Sequence, residues 1–412
     1  MTTQADIGAI ISGKPERLEV LDSVRGIAAF IVVIHHCLLT LPTFSDYFFS
    51  TWRTQSATTF EVLMFDTPLR LLWDGYEAVT LFYVLSSLVL ALPWVEGRPP
   101  TYRVFITKRI CRIWLPYLVA IMTAALLASL LQLPAPIAGL SEWLNTMTWS
   151  HPVTGAVLLD QALMGGHTNF VNGVVHSLVW EMRVSIIFPL LVLPIVRWRL
   201  MGAGVAVVAL SAVVVIVRLL QFGTDTRLGL GQSDTFLGVI GKTAYYGYFF
   251  VPGALIAVYL APIRRALTAM PGWARAGILV AGLGTIANHW TRMHIAQEVM
   301  VGIGASILII AALAPGRIER VFSARPLRWL GEISYSLYLV HLPLLLGGVI
   351  LLHGVVPLWA ILVSVPPLAL PLGWAFHRLV AAPSAQLGHR IGRRLSTRQA
   401  KLAVGAPVGA GR

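Results

Sequence analysis

Runs of roughly twenty apolar residues recur along the chain, separated by shorter stretches that hold most of its charges. One α-helix needs about 20 such residues to cross the hydrocarbon core of a bilayer. Ten runs satisfy that requirement, some loosely, at about 20–41, 75–94, 113–132, 176–196, 200–217, 245–260, 275–290, 295–314, 330–353 and 357–378. The first, second and ninth are the clearest; the sixth is short and glycines break the seventh. Two longer polar connections, about 42–74 and 133–175, contain Pro, Asp and aromatic residues. The pattern predicts an all-α fold, a polytopic membrane bundle of about ten transmembrane helices.

Composition narrows the picture. The 412 residues are 57% hydrophobic and 12% charged, about half the charged share of a soluble domain. This excludes a water-soluble enzyme, a disordered chain and a nucleic-acid-binding domain. The net charge of +13 is explained by its placement. If both termini are cytoplasmic, 23 of the 31 Lys and Arg residues fall on the cytoplasmic side and 6 on the other, leaving Arg25 and Arg183 within the membrane. Positive charge accumulates on that side of membrane proteins, so the lipid bilayer, and not nucleic acid, is the expected partner of the basic excess. The chain divides into a cytoplasmic segment 1–19, a transmembrane domain 20–382 and a basic tail 383–412 expected to be disordered. No signal peptide is expected, because no small-residue cleavage site precedes the first apolar run. Cys37 and Cys111 lie near opposite faces, form no disulfide framework and read as apolar fillers.

Ionisable groups at bilayer depth cost about 2.5–3.5 kcal/mol on insertion scales, so each that persists is a functional candidate. The first span carries Asp22, Arg25, His35 and His36. At 100° per residue, Arg25 and His36 fall within about 20° of one helical face and about 16 Å apart along it. Asp22, three residues before Arg25, is placed to pair with it. The fourth span opens HSLVWEMRVSIIFP, which puts Glu181 about five residues from the outer surface, a depth that matches His36. An imidazole and a carboxylate at one depth suit a general base and the acid that holds it, although both residues can equally cap a polar helix crossing. In KRICRIWLPY, Arg109 and Arg112 share one face beside Lys108 and suit a phosphate; a plain positive-inside flank has the same appearance. Tyr338 and His341, at i and i+3 in LGEISYSLYLVHLP, suit an internal polar path for substrate. Ser86 and Ser87 read as close-packing residues. His289 and His294 have the wrong spacing for one metal-binding face, and no metal is expected.

Taken together, these blocks resemble the acyltransferase 3 family of integral-membrane acyltransferases. The resemblance rests on RLEVLDSVRGIAAFIVVIHH, with ten residues between Arg25 and His36, then LFYVLSS, KRICRIWLPY, HSLVWEMRVSIIFP and LGEISYSLYLVHLP, in that order over about residues 16–383. The chain departs from the common pattern at His176–Ser177–Leu178, at Ser87 in place of a glycine, and at Ala381–Ala382–Pro383, where many members have a glutamate before proline. The resemblance implies a multi-pass protein of the bacterial cytoplasmic (inner) membrane. It implies O-acyl transfer, usually of acetyl from cytoplasmic acetyl-CoA, to a hydroxyl of a cell-surface polysaccharide or lipid-linked glycan. Some relatives acylate small natural products such as macrolides. On this reading His36 is the general base, Glu181 orients it or binds the acceptor, and Arg109, Arg112 and Arg25 hold the nucleotide phosphates of the donor. A transporter or flippase of a lipid-linked sugar also uses intramembrane Arg, Glu and His, but no inverted repeat is visible.

Overall fold

The computed structural model describes residues 16–49, 58–131, 136–147, 149, 151–168, 170–222, 235–287 and 294–404. These residues are helical almost throughout and form no β-strand. The long elements are α1 (Glu16–Leu39), α2 (Gly75–Val95), α3 (Tyr102–Leu130), α4 (His176–Trp198), α5 (Leu200–Phe222), α6 (Phe236–Val258), α7 (Leu260–Ala269), α8 (Gly272–Ala287), α9 (His294–Ala312), α10 (Arg325–Leu352), α11 (Leu358–Phe376) and α12 (Ala382–Val404). Seven stretches are long and apolar enough to cross a bilayer, or eight if α6 and α7, bent by 66°, form one broken span. Pro262 in the first turn of α7 lacks the N–H that a continuous helix would use, so a new helix starts there. The expected seventh and eighth spans appear as the shorter apolar helices α8 and α9. The chain is a multi-pass membrane helix bundle.

Helix α1 lies at the centre and crosses α10 where two glycines meet. A Cβ on Gly26 would stand 2.5 Å from the Gly331 nitrogen, and one on Gly331 would stand 2.3 Å from the Asp22 carbonyl. Without a strong hydrophobic drive between helices in lipid, such backbone contact supplies packing. The α2–α6 crossing follows the same rule: a Cβ on Gly253 would meet the Val84 carbonyl at 2.2 Å, and the buried Ser87 hydroxyl donates to the Phe250 carbonyl. Ser87 therefore has the packing role expected of it.

Helix α3 contains a π-helical turn, Ile110–Trp114, just before Leu115 and Pro116. Proline breaks the regular ladder, and a wide turn absorbs the break. Tyr335 of α10 donates to the Ile113 carbonyl inside it, 2.7 Å away. Arg109 lies just before the turn and Arg112 within it; Arg109 is buried and Arg112 exposed.

The connection after α1, expected to be polar, folds into an apolar cap over the far end of the bundle. Phe44, Phe65 and Trp73 pack together, and the Trp73 carbonyl accepts from His35 Nδ1 at 2.8 Å. At the opposite end, the basic stretch from 383 is helical through Val404 and not disordered as expected. It forms because small residues fit it against α3: a Cβ on Gly388 would meet the Cys111 Cβ at 2.8 Å, and one on Gly392 the Lys108 Cε at 3.1 Å. Residues 405–412 lie outside the described residues, as do His289, Arg53, Arg227 and Arg292 from the topology analysis. The segment expected as 1–19 is already helical from Glu16, and Glu19 pairs with Arg328 of α10 at 2.6 Å.

Candidate active site

A cavity of about 570 Å³ opens at the basic end of the bundle between α1, α2, α3, α4, α10 and α12, within the range of small-molecule sites. Its mouth carries Arg25, Lys108 and Arg112, its waist Val89 and Leu90, then Ser86 with Glu181, and its inner end Val79, Phe82, Ser177 and Tyr338, the Phe82 ring 6.0 Å from that of Tyr338. The mouth is cationic and wet, since Lys108 and Arg112 are exposed. The waist is apolar. Such a shape suits an anionic head with a narrow, weakly polar arm.

Arg25 and Arg112, two of the residues expected to hold phosphate, line this cavity, and Arg25 pairs with Asp22 at 2.7 Å as expected. Arg109 differs. It is only 8% exposed, its Nη2 donates to Glu181 at 2.9 Å, and its Nε and Nη2 donate to the Ser185 hydroxyl at 3.1 and 2.8 Å. Its charge is already answered inside the protein, whereas Arg112 at the mouth has no acidic partner among the described residues. Both arginines expected to hold a phosphate therefore border the cavity, Arg109 with its charge already paired and Arg112 without an acidic partner.

Glu181 does not meet His36. Its Oε1 accepts from Arg109 and from the Ser86 hydroxyl, the latter at 2.7 Å, and no hydrogen bond joins it to His36 among the described residues. The equal-depth expectation fails on register. One turn outward from Glu181, the Ser177 hydroxyl meets the Tyr338 hydroxyl at 2.6 Å, and both approach the Val174 carbonyl. Three residues further along α10, His341 meets His36. Four residues and then three, at 1.5 Å each, put His36 about 10 Å beyond Glu181.

The His36–His341 pair fixes its own tautomers. Backbone carbonyls only accept, so His36 Nδ1, 2.8 Å from the Val32 carbonyl, and His341 Nδ1, 3.1 Å from the Leu337 carbonyl, both carry hydrogens. In the neutral pair His341 Nε2 is then bare, and the one hydrogen on His36 Nδ1 is shared between the Val32 carbonyl and His341 Nε2, 3.1 Å away. His36 Nε2 keeps its lone pair and has no hydrogen-bond partner among the described residues. His341, expected to contact substrate, is 1% exposed and hydrogen-bonds His36. The His36 ring also packs at 5.4 Å from Trp143 of the outer segment and 5.2 Å from His35. His36 does not line the cavity. The Ser177–Tyr338 contact stands between them.

Ser86 is the site residue that sequence reasoning passed over in favour of packing. Its signal was the spacing of Phe82, Ser86, Val89 and Pro93, a single helical face, and all four line the cavity. Among the described residues no group of three or more His, Cys, Asp or Glu side chains is arranged to hold a metal ion.

The family profile described as an acyltransferase domain, that of the acyltransferase 3 family, matches residues 18–378, nearly the whole chain. No curated protein and no solved structure gives a match.

Proposed function

The chain belongs to the acyltransferase 3 family, and from that premise we propose that it is an O-acyltransferase with an acyl-CoA donor, most simply acetyl-CoA. The acceptor is a hydroxyl of a cell-surface polysaccharide or lipid-linked glycan at the far side of a bacterial cytoplasmic membrane. One observation carries this reading: a cavity with a cationic mouth runs inward to Ser177 and Tyr338, one helical turn short of the His36–His341 pair. Arg25, Lys108 and Arg112 receive the donor's phosphates, and the apolar waist takes the pantetheine arm. The arm places the thioester at the Tyr338 end of the cavity. Contact between that end and His36 requires the Tyr338 side chain to turn off Ser177.

His36 Nε2 then removes the acceptor's proton as its oxygen attacks the thioester carbon. The new C–O bond forms, the C–S bond breaks, and the imidazolium returns the proton to the departing thiolate. General-base catalysis of this kind contributes about 10²–10⁴-fold. His341 is a positioning residue: it holds His36 in the tautomer whose Nε2 is basic. Glu181, no longer a partner of His36, keeps Arg109 and Ser86 in place along the cavity wall.

The test is mass spectrometry of surface glycans and lipids from cells with and without the gene, together with consumption of labelled acetyl-CoA by the purified protein. A product heavier by one acyl group, lost in His36→Ala, is expected. Movement of a lipid-linked sugar with no thioester consumed would replace this reading with a transporter.

A further inference from the structure

Helix α12 begins beyond the last residue of the family match, yet two of its residues, Ala385 and His389, form part of the cavity wall. Gly388 and Gly392 let it lie directly on α3: a Cβ at Gly388 would come within 2.8 Å of Cys111, and one at Gly392 within 3.1 Å of the Lys108 side chain. The charges across this contact are one-sided. From Ala382 to Val404 there is no acidic residue, and His389, Arg390, Arg393 and Arg394 fall in one stretch. Lys108, Arg112 and Arg393 all disfavour a positive charge on His389, which therefore offers a neutral N–H and not a cation.

The acids that line the cavity are engaged elsewhere. Asp22 pairs with Arg25 and Glu181 with Arg109, and Glu332 faces His377 at 3.4 Å. Lys108 and Arg112 have no acidic partner among the described residues. Pressing a basic helix onto two uncompensated cations is unfavourable in itself, and an anion held between them removes the penalty.

We propose that α12 completes the mouth of the cavity as a phosphate site, in which His389 from α12 joins Lys108 and Arg112 from α3 to hold the 3′-phosphate of the CoA nucleotide. The inference rests on the acyl-CoA reading above. It assigns to a helix outside the family match the discrimination between CoA and its dephosphorylated form.

The experiment measures binding of CoA and of dephospho-CoA to the full-length protein in neutral-lipid nanodiscs. The parent is expected to bind CoA about tenfold or more tightly, the scale of a charge-assisted contact to phosphate. His389→Glu, which puts a negative charge at an exposed position, is expected to abolish that preference while leaving dephospho-CoA affinity within about twofold. Truncation after Ala381 is expected to do the same if the protein remains folded, and His389→Glu keeps the test decisive if it does not. Equal affinity of the parent for both nucleotides would overturn the phosphate site and leave the donor reading standing. A preference that disappears when phosphatidylglycerol is added would assign these cations to lipid headgroups and overturn it as well. Failure to bind CoA in either form would overturn the donor reading, and this inference with it.

Discussion

Replacing Glu181 by Gln changes little in shape and removes one charge, and its consequence depends on which partner the carboxylate serves. In the structure that partner is Arg109, 8% exposed and bonded to Glu181 at 2.9 Å and to Ser185. A glutamine at 181 still accepts from Arg109 and Ser86, but the guanidinium loses its counter-charge in a low-dielectric interior. Removing one member of a buried ion pair costs about 3–5 kcal/mol, because the other charge is left uncompensated. Removing both, in Glu181→Gln/Arg109→Gln, leaves no stranded charge and is expected to recover most of that loss. Arg112→Gln, at the exposed mouth, is expected to stay within about 0.5 kcal/mol of the parent and to weaken donor binding. Thermal unfolding of the purified variants in detergent, with acetyl-CoA binding measured alongside, reads these effects. Glu181→Gln as stable as the parent, or a double variant no better than the worse single, would refute the Arg109 pairing as the carboxylate's purpose.

Three further outcomes follow from the same geometry. His36→Ala is expected to lower transfer by about 10²–10⁴-fold with the fold and acetyl-CoA affinity intact; full activity in a labelled-acetate transfer assay would remove His36 from the chemistry. His341→Phe is expected to lower kcat with little change in KM for the donor, while His341→Gln, whose carbonyl still accepts from His36 Nδ1, recovers much of it; equal losses in both variants would make His341 a packing residue. Gly331→Ala forces a Cβ to 2.3 Å from the Asp22 carbonyl, an overpacking worth about 1–3 kcal/mol, and is expected to lower the unfolding temperature; an unchanged Tm would mean that the α1–α10 crossing is looser than described.

Most of the bundle was legible because its governing signal is long-range and additive. Twenty apolar residues and a one-sided distribution of Lys and Arg locate spans without any knowledge of packing, and Asp22–Arg25 pairing needs only helix geometry. What failed depended on register between helices, which no single-chain periodicity encodes. Glu181 and His36 were placed at one depth from the ends of their own apolar runs, but Ser177–Tyr338 and His36–His341 show the two helices offset by about two turns. Arg109 and Arg112 border one cavity, as a shared helix face suggests, but spacing along one helix does not reveal that Glu181 and Ser185 of α4 already hold Arg109. Helix α12 read as a tail because its basic composition masks the small residues, Gly388 and Gly392, that seat it on α3. The polar connection after α1 hid its own core, since Phe44, Phe65 and Trp73 are far apart in sequence.

The central claim is that the donor enters from the basic end and reaches Ser86 and Tyr338 through the cavity. Ser86→Cys, made in a Cys37→Ala/Cys111→Ala background, places a single thiol on the cavity wall for a membrane-impermeant maleimide. The account predicts labelling in inside-out vesicles, protection by acetyl-CoA, and no labelling in right-side-out vesicles. Labelling from the outer face alone, or labelling that acetyl-CoA leaves unchanged, would contradict it.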